Sequence, residues 1–266
     1  MTDVLEGFKA AQRAGWTHFA PLAIQTTVPA AQLVRYAGIR SGQHVLDVGC
    51  GTGVVAVTAA RLGATVTGLD LTPELLSVAR ENARTAEVSV DFHEGDAEAL
   101  PFDASAFDAV VSQFGHIFAP RPDVTIGEML RVLKAGGVIA FATWPPELFI
   151  GRVFGLTARY MPPPPPGVSP PPQWGDPTIV RERLGDRVRD LRFDRRDMMM
   201  PALSPRHVRE IFEKTAGPVI KLVEMLSAAD PVKLSAYRSE LEGLVAEYFD
   251  ENMIRQGYLL TRAVKL

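Results

Sequence analysis

Three aspartates, three glycines, a glutamine and a histidine hold the positions where this chain can be read for chemistry. Asp47 stands two residues ahead of Gly49, and Gly49, Gly51 and Gly53 alternate through Val45–Gly53. Glycine reaches φ > 0 and carries no Cβ, so such a run turns the chain and lets a ligand approach its backbone. The apolar runs Val45–Val48 and Val54–Ala60 on either side read as a strand and a helix. Strand, glycine turn, helix is how an α/β sheet presents backbone to a nucleotide-like ligand. Gly51–Ala56 also fits the dinucleotide fingerprint G-x-G-x-x-A. Asp47 argues against a dinucleotide, because a carboxylate there repels a pyrophosphate seated on the helix N-terminus. It suits a ligand that carries an ammonium group. Asp70 follows Gly53 by 17 residues, about the spacing at which an acid meets a ribose hydroxyl in a βαβ unit. Asp96 lies in the acidic loop Glu94–Phe102, and Gln113 and His116 follow another apolar run. An unperturbed histidine is mostly neutral near pH 7, so His116 is a candidate base, or else a wall that only shapes a pocket.

The elements that must position these residues follow from periodicity. Thr2 caps a first helix with Leu5 and Phe8 on one side and Gly15 at its end, and Pro29 opens a second that runs to Gly38. Trp16–Pro21 between them is aromatic and irregular. Thr65–Asp70 reads as the second strand, and Thr72 with Pro73 caps the next helix. Val88–Phe92 and Phe107–Phe114 read as the third and fourth strands. Pro122 starts a helix whose Ile126, Met129, Leu130 and Leu133 form one stripe, Gly136-Gly137 stops it, and Val138–Trp144 is a fifth strand. This unbroken alternation implies a parallel, doubly wound sheet. Between Pro145 and Pro177 lie 11 of the 21 prolines, too many for a central strand, and they read as a stiff surface arm. Phe149, Val153, Leu156 and Tyr160 recur there at helical spacing. Leu191 and Phe193 suggest a half-buried strand, Pro205–Ala216 a helix, Asp230-Pro231 the start of a long helix, and Gly257–Val264 a terminal antiparallel strand.

Composition excludes several classes. The 266 residues suffice for one α/β domain with an insertion, and 47% apolar and 22% charged residues are ordinary for a soluble protein. A net charge of −3 gives no global field for nucleic acid. Arg181–Asp197 carries seven arginines but also five acids, which cancel most of a local field, so it reads as a solvated face. No run is long and apolar enough to span a bilayer, and the N-terminus lacks a signal-peptide pattern. The single cysteine, Cys50, excludes an internal disulfide, and the five histidines show no metal-ligand spacing, so no metal is expected. A cytoplasmic location is the default.

Val45–Gly53, Gly68–Leu71, Gly95–Phe102 and Phe107–Ser112, in that order and spacing, resemble the motifs of class I S-adenosylmethionine-dependent methyltransferases, nearest to the ubiquinone/menaquinone C-methyltransferase-like group. S-adenosylmethionine has an ammonium and a sulfonium and no phosphate, which agrees with Asp47. The resemblance implies a Rossmann-like, doubly wound, mainly parallel seven-stranded sheet with helices on both faces and an antiparallel edge strand. It implies helices over the cofactor mouth in residues 1–40, a cofactor core in 41–144, a proline-rich insertion or lid in 145–204, and C-terminal helices with the last strand in 205–266. Carried over by position, Gly49, Gly51 and Gly53 line the methionine end, Asp47 faces the ammonium through water, and Asp70 takes the ribose hydroxyls. Leu71 packs on adenine, Asp96 and Ala97 hold its edge, and Gln113 begins the segment beside the methyl group. Trp16, Phe19, Phe114, Trp144 and Phe149 are the expected acceptor pocket. The acceptor is expected to be a small molecule, methylated at carbon or oxygen, with no nucleic acid and no stable membrane insertion, in a monomer or homodimer. A nicotinamide dehydrogenase is the rival reading, though no tyrosine here has a lysine four residues on; a non-catalytic ligand-binding protein is another.

Overall fold

The structure is a computed structural model that describes residues 2–266. The chain begins with α1 (Thr2–Trp16), α2 (Ala20–Ala23) and α3 (Thr27–Ala37). Gly38 ends α3 in the left-handed conformation, φ 74°, where it costs least. Alternation then follows through β1 (His44–Val48), α4 (Val54–Ala60), β2 (Thr65–Asp70), α5 (Pro73–Thr85), β3 (Asp91–Glu94), β4 (Phe107–Gln113), α6 (Pro122–Val132) and β5 (Leu133–Thr143). The remainder is α7 (Phe149–Tyr160), α8 (Pro177–Leu184), β6 (Val188–Pro201), α9 (Pro205–Thr215), α10 (Gly217–Ala229), α11 (Pro231–Ala246), β7 (Phe249–Asp250) and β8 (Met253–Lys265).

The sheet runs β3-β2-β1-β4-β5-β8-β6, with the two-residue β7 pairing β8 off this path. Its first five strands are mutually parallel, and β8 runs antiparallel to both β5 and β6. Val45–Val48 and Ala109–Ser112 are buried throughout, as strands covered by helices on both faces must be. A doubly wound α/β fold is thus what the alternation predicted.

Several boundaries differ, each for a local reason. The third strand starts at Asp91 rather than Val88, because Glu87 turns left-handed (φ 55°) after α5 and the chain reaches β2 only at the Thr67–Asp91 pair. Gly136-Gly137 does not end α6. Helix gives way to strand at Leu133, and the glycines fill a bulge between the Phe107–Leu133 and Ala109–Val138 pairs. Gly15 lies inside α1, where a Cβ would stand 3.2 Å from the Cα of Gly217, so it marks a close helix crossing rather than a stop. The cap expected from Thr2 falls outside the described side chains. Thr72 sits at the α5 cap position without accepting a helix N–H; its own N–H donates to Asp70 Oδ1 at 2.9 Å. The terminal strand is antiparallel as expected but one place in from the edge, because β6 pairs along its outer side. Helix α10 had no counterpart in the sequence reading.

Two cores result. One surrounds the sheet, and the other joins Phe149 and Val153 of α7 to Phe212 of α9, Leu222 of α10 and Tyr237 of α11. Among the described residues no helix is long and apolar enough to cross a membrane.

At the exits of β1 and β4, Gly49 and Gly115 touch. A Cβ on Gly115 would lie 2.8 Å from the Cα of Gly49 and closer still to its carbonyl oxygen. Gly115→Ala is expected to destabilise the fold by about 1–3 kcal/mol, as overpacking does. Urea unfolding measures this, and an unshifted midpoint would show that the two turns can part freely.

Candidate functional site

The three glycines after β1 all have positive φ, 65°, 52° and 77°, yet do different things. Gly49 admits Gly115. At Gly51 a Cβ would meet nothing within 4 Å, so its backbone faces open space. At Gly53 a Cβ would lie 2.9 Å from Phe92 and 3.0 Å from Ala79, so this glycine lets α4 settle on its neighbours and is off the cavity wall.

Asp47 is 1% exposed. Its Oδ2 accepts from the Ala56 N–H at 3.1 Å, inside the first turn of α4, and its Oδ1 has no partner. Burial pushes the carboxyl up to about 7, against the Ala56 bond, and nearby Asp70 adds to the rise. Asp70 accepts from Gly51 N–H at 2.8 Å and from Thr72 N–H at 2.9 Å. Burial still raises its pKa. Among the described residues no lysine or arginine hydrogen-bonds either carboxylate. Two buried acids with no lysine or arginine bonded to them fit a ligand that brings positive charge and hydroxyls better than a phosphate. Burial also pushes the Cys50 thiol well up, so it stays protonated beside the turn and is no nucleophile.

At the next part of the cavity stand Leu71, Asp96 and Ala97. Lys9 of α1 reaches this loop, bonding Asp96 Oδ2 and Glu98 Oε2, the latter at 2.8 Å. Burial works against its charge, but the two carboxylates hold the Lys9 pKa above its ordinary value. Asp96 Oδ1 accepts from Glu98 N–H, and Glu98 is bonded by Arg121. Sequence reasoning missed Lys9, which has no local motif and lies 87 residues from Asp96.

The far part of the cavity is aromatic and apolar. Trp16, Phe19, Phe114 and Trp144 line it; Phe149 does not, being wholly buried in the second core. Phe114 takes φ 57°, rare for an aromatic residue, and its ring stacks on Trp144 with centroids 3.8 Å apart and an 11° tilt. Gln113 donates from Nε2 to the Thr26 carbonyl at 3.0 Å, and its Oε1 has no partner. His116 is 1% exposed, its ring centroid 4.8 Å from Phe141 and 4.6 Å from Trp174, with neither ring nitrogen partnered. Burial, helped by the Arg183 charge, lowers its pKa to about 3. The wall also includes Met198, Met200, Phe212 and Gln256, brought from distant elements. No local motif in the sequence marks them. The two ends form one cavity of about 250 Å³, well beyond the roughly 10–15 Å³ that a water needs. Among the described residues no group of three or more His, Cys, Asp or Glu side chains is placed to hold a metal ion.

A family model described as "Methyltransferase domain" matches residues 45–137. An uncharacterized protein of Mycobacterium tuberculosis, Rv1403c, is 37% identical over 234 residues, covering 88% of this chain and 85% of its own. A ubiquinone biosynthesis O-methyltransferase of Xanthomonas oryzae pv. oryzae is 40% identical over 104 residues, 39% of this chain and 44% of the relative. Among solved structures, a putative methyltransferase from Bacillus halodurans superposes with a TM-score of 0.60 at 20% identity, covering 89% of this chain and 98% of the other. That likeness speaks to the fold.

Asp47 generates a prediction with a definite sign. Its pKa is 3.8 in an unfolded chain and about 7 in the folded protein, so the folded state keeps a proton that the unfolded chain has lost. Between those values the ligand-free protein therefore loses stability as pH rises. A cationic ligand needs the carboxylate, so its binding at pH 6 should release close to one proton, and its affinity should rise with pH to about 7 and then level. Calorimetry of S-adenosylmethionine binding in buffers of different ionisation enthalpy counts that proton. Asp47→Asn should abolish the release and weaken binding about tenfold or more; an unchanged proton count would place the titration elsewhere.

Proposed function

The chain belongs to the class I S-adenosylmethionine-dependent methyltransferases, and we propose that it methylates a neutral, largely apolar small molecule at oxygen or carbon. The observation that carries the acceptor reading is how charge is divided along the cavity. Lys9, Asp47, Asp70 and Asp96 stand at one end, while the wall from Phe114 to the second core has no ionisable side chain apart from the enclosed, neutral His116. A charged acceptor would leave water with nothing opposite it, at a cost of several kcal/mol. The O-methyltransferase named among the relatives is similar over the cofactor half and lends support to oxygen as a target.

The cofactor's fit rests on the orphaned Asp47 Oδ1 and the open face of Gly51. In this reading Asp47 faces the ammonium through water, and the backbone of Gly49 and Gly51 lines the methionine end. Asp70 takes the ribose hydroxyls, Leu71 packs on the adenine, Asp96 and Ala97 hold its edge, and Gln113 borders the methyl group. S-adenosylmethionine supplies an electrophilic methyl on a sulfonium that is its own leaving group. What remains for the protein is alignment and exclusion of water. Trp16 and Phe19, together with Ile150, Val153 and Phe154 of α7, line the cavity, and Trp16 and Phe154 both pack on Phe118.

His116 was the sequence candidate for a base. With a pKa near 3 and both nitrogens enclosed, it is in our reading a wall. The acceptor's own acidity, or water, then disposes of the proton. The lone buried Cys50 suits a reducing cytoplasm.

S-adenosylmethionine should bind in the micromolar range, about 8 kcal/mol, and NADH should not. Asp70→Ala should cost about 1.5–3 kcal/mol of that affinity, as for hydrogen bonds to a charged group; calorimetry compares them, and equal affinity for NADH would overturn the cofactor assignment. In an acceptor panel with labelled methyl donor, His116→Phe should keep kcat within about tenfold, whereas losing a general base costs about 10²–10⁴-fold. A larger loss, with the acidic limb of the pH–rate profile gone, would restore His116 as the base.

A further inference from the structure

Gln256 lies on β8 and on the cavity wall, and is 3% exposed. Its Nε2 meets only a thioether, the Sδ of Met200 at 3.3 Å, and no nitrogen or oxygen of the described residues bonds the carboxamide at either end. Sulfur is a weak acceptor, so the amide nitrogen has one weak contact with the protein, while Oε1 is not among the buried oxygens that lack a partner and is left to whatever fills the cavity. Exchanging the amide's oxygen and nitrogen leaves the same deficit. Its cross-strand partner is Met198, and α9 and α10 bring Phe212 and Val219 to the same cavity. A carboxamide left this way destabilises a fold unless something else completes it.

Its position says what completes it. In the order β4-β5-β8, Gln256 is two strands from Gln113, roughly 10 Å across the sheet. Leu259 pairs with Thr143, so Gln256 overhangs the carboxyl end of β5 by three residues, on the edge where ligands of this sheet class bind. Tyr258, two residues on and on the same strand face, meets the Phe114 ring edge-on at 5.7 Å. The stacked rings of Phe114 and Trp144, after β4 and β5, line the same cavity and follow strands that lie between β1 and β8 in the sheet, and aromatic rings suit a flat molecule.

We propose that Gln256 sets acceptor specificity, its carboxamide hydrogen-bonding a carbonyl or hydroxyl oxygen at the far end of a flat, neutral, conjugated acceptor. The methylated atom lies at the other end, beside Phe114; two strand spacings across the sheet and three residues along β8 put Gln256 roughly 14 Å from it. This rests on the acceptor reading above.

Coumarin and naphthalene test it, being flat neutral bicycles of similar size with and without a carbonyl. Each is titrated into the full chain saturated with S-adenosylhomocysteine, following tryptophan fluorescence. The wild type should bind coumarin at least tenfold more tightly than naphthalene. Gln256→Met, close in volume and matched to its two methionine neighbours, should bring that ratio to about one, with naphthalene affinity and S-adenosylhomocysteine affinity kept. Because it exchanges a weakly held polar group for an apolar one among apolar neighbours, it should also raise the Tm of the ligand-free protein by about 2–4 °C. Gln256→Leu is the second variant, with the same expectation for the ratio. A retained ratio in both variants, no preference in the wild type, or a lower Tm in both would make Gln256 a structural residue and overturn the proposal. So would failure of coumarin to bind a protein that binds S-adenosylhomocysteine. Failure to bind S-adenosylhomocysteine would instead overturn the cofactor reading beneath it.

Discussion

Two turns touch at their glycines, Gly49 after β1 and Gly115 after β4, with no room for a Cβ between them. Neighbouring parallel strands send their connections to opposite faces at this point of the sheet order, which opens a crevice at their carboxyl ends. The glycine contact keeps that crevice narrow at its floor. Beside it Gly51 faces open space on one side, and Phe114 takes φ 57° on the other. In the function proposed above, the methyl donor and the acceptor meet across this contact. The hydroxyl of Ser112 ties it further, donating to the Val48 carbonyl at 2.6 Å and accepting the His116 N–H at 3.1 Å.

Charge is distributed along the cavity in a way that makes the ligand part of the fold's energetics. Asp47 and Asp70 are buried side by side without a protein cation, and both are pushed toward the neutral form. The ligand-free protein thus carries an electrostatic cost that a bound cation removes, and such a ligand stabilises the folded state by mass action. Asp96 is treated differently, since Lys9 neutralises it and ties α1 to the loop beside it. Beyond the acids, the amides of Gln113 after β4 and of Gln256 on β8 stand in place of charge, which suits recognition of an uncharged partner.

The roof over that far end is built from late parts of the chain. Phe149 and Val153 of α7, Phe212 of α9 and Leu222 of α10 pack into a core separate from the sheet's own, and Val153 and Phe212 also face the cavity. Trp174, in the proline-rich segment, packs on His116 and Phe141 under the Arg183 guanidinium. The proline arm therefore has an apolar anchor in the main core rather than lying loose on the surface.

The cofactor half was legible because its parts are consecutive. Val45–Val48, the alternating glycines and Asp70 all lie within one βαβ unit, so spacing along the chain is spacing in the site. Periodicity likewise placed α6, α7 and α11, since an apolar stripe must find a core. Tertiary structure decided what spacing cannot. It turned Gly53 toward Phe92 and Phe149 into the second core, both away from the cavity. It enclosed His116 between two aromatic rings, where burial lowers its pKa, a consequence that residue type alone conceals. It set β6 outside β8, and it delivered Lys9 from one end of the chain and Gln256 from the other to a single cavity. Local pattern encodes which face of an element is buried; contacts across a hundred or more residues depend on how those faces pack, and no short motif records them.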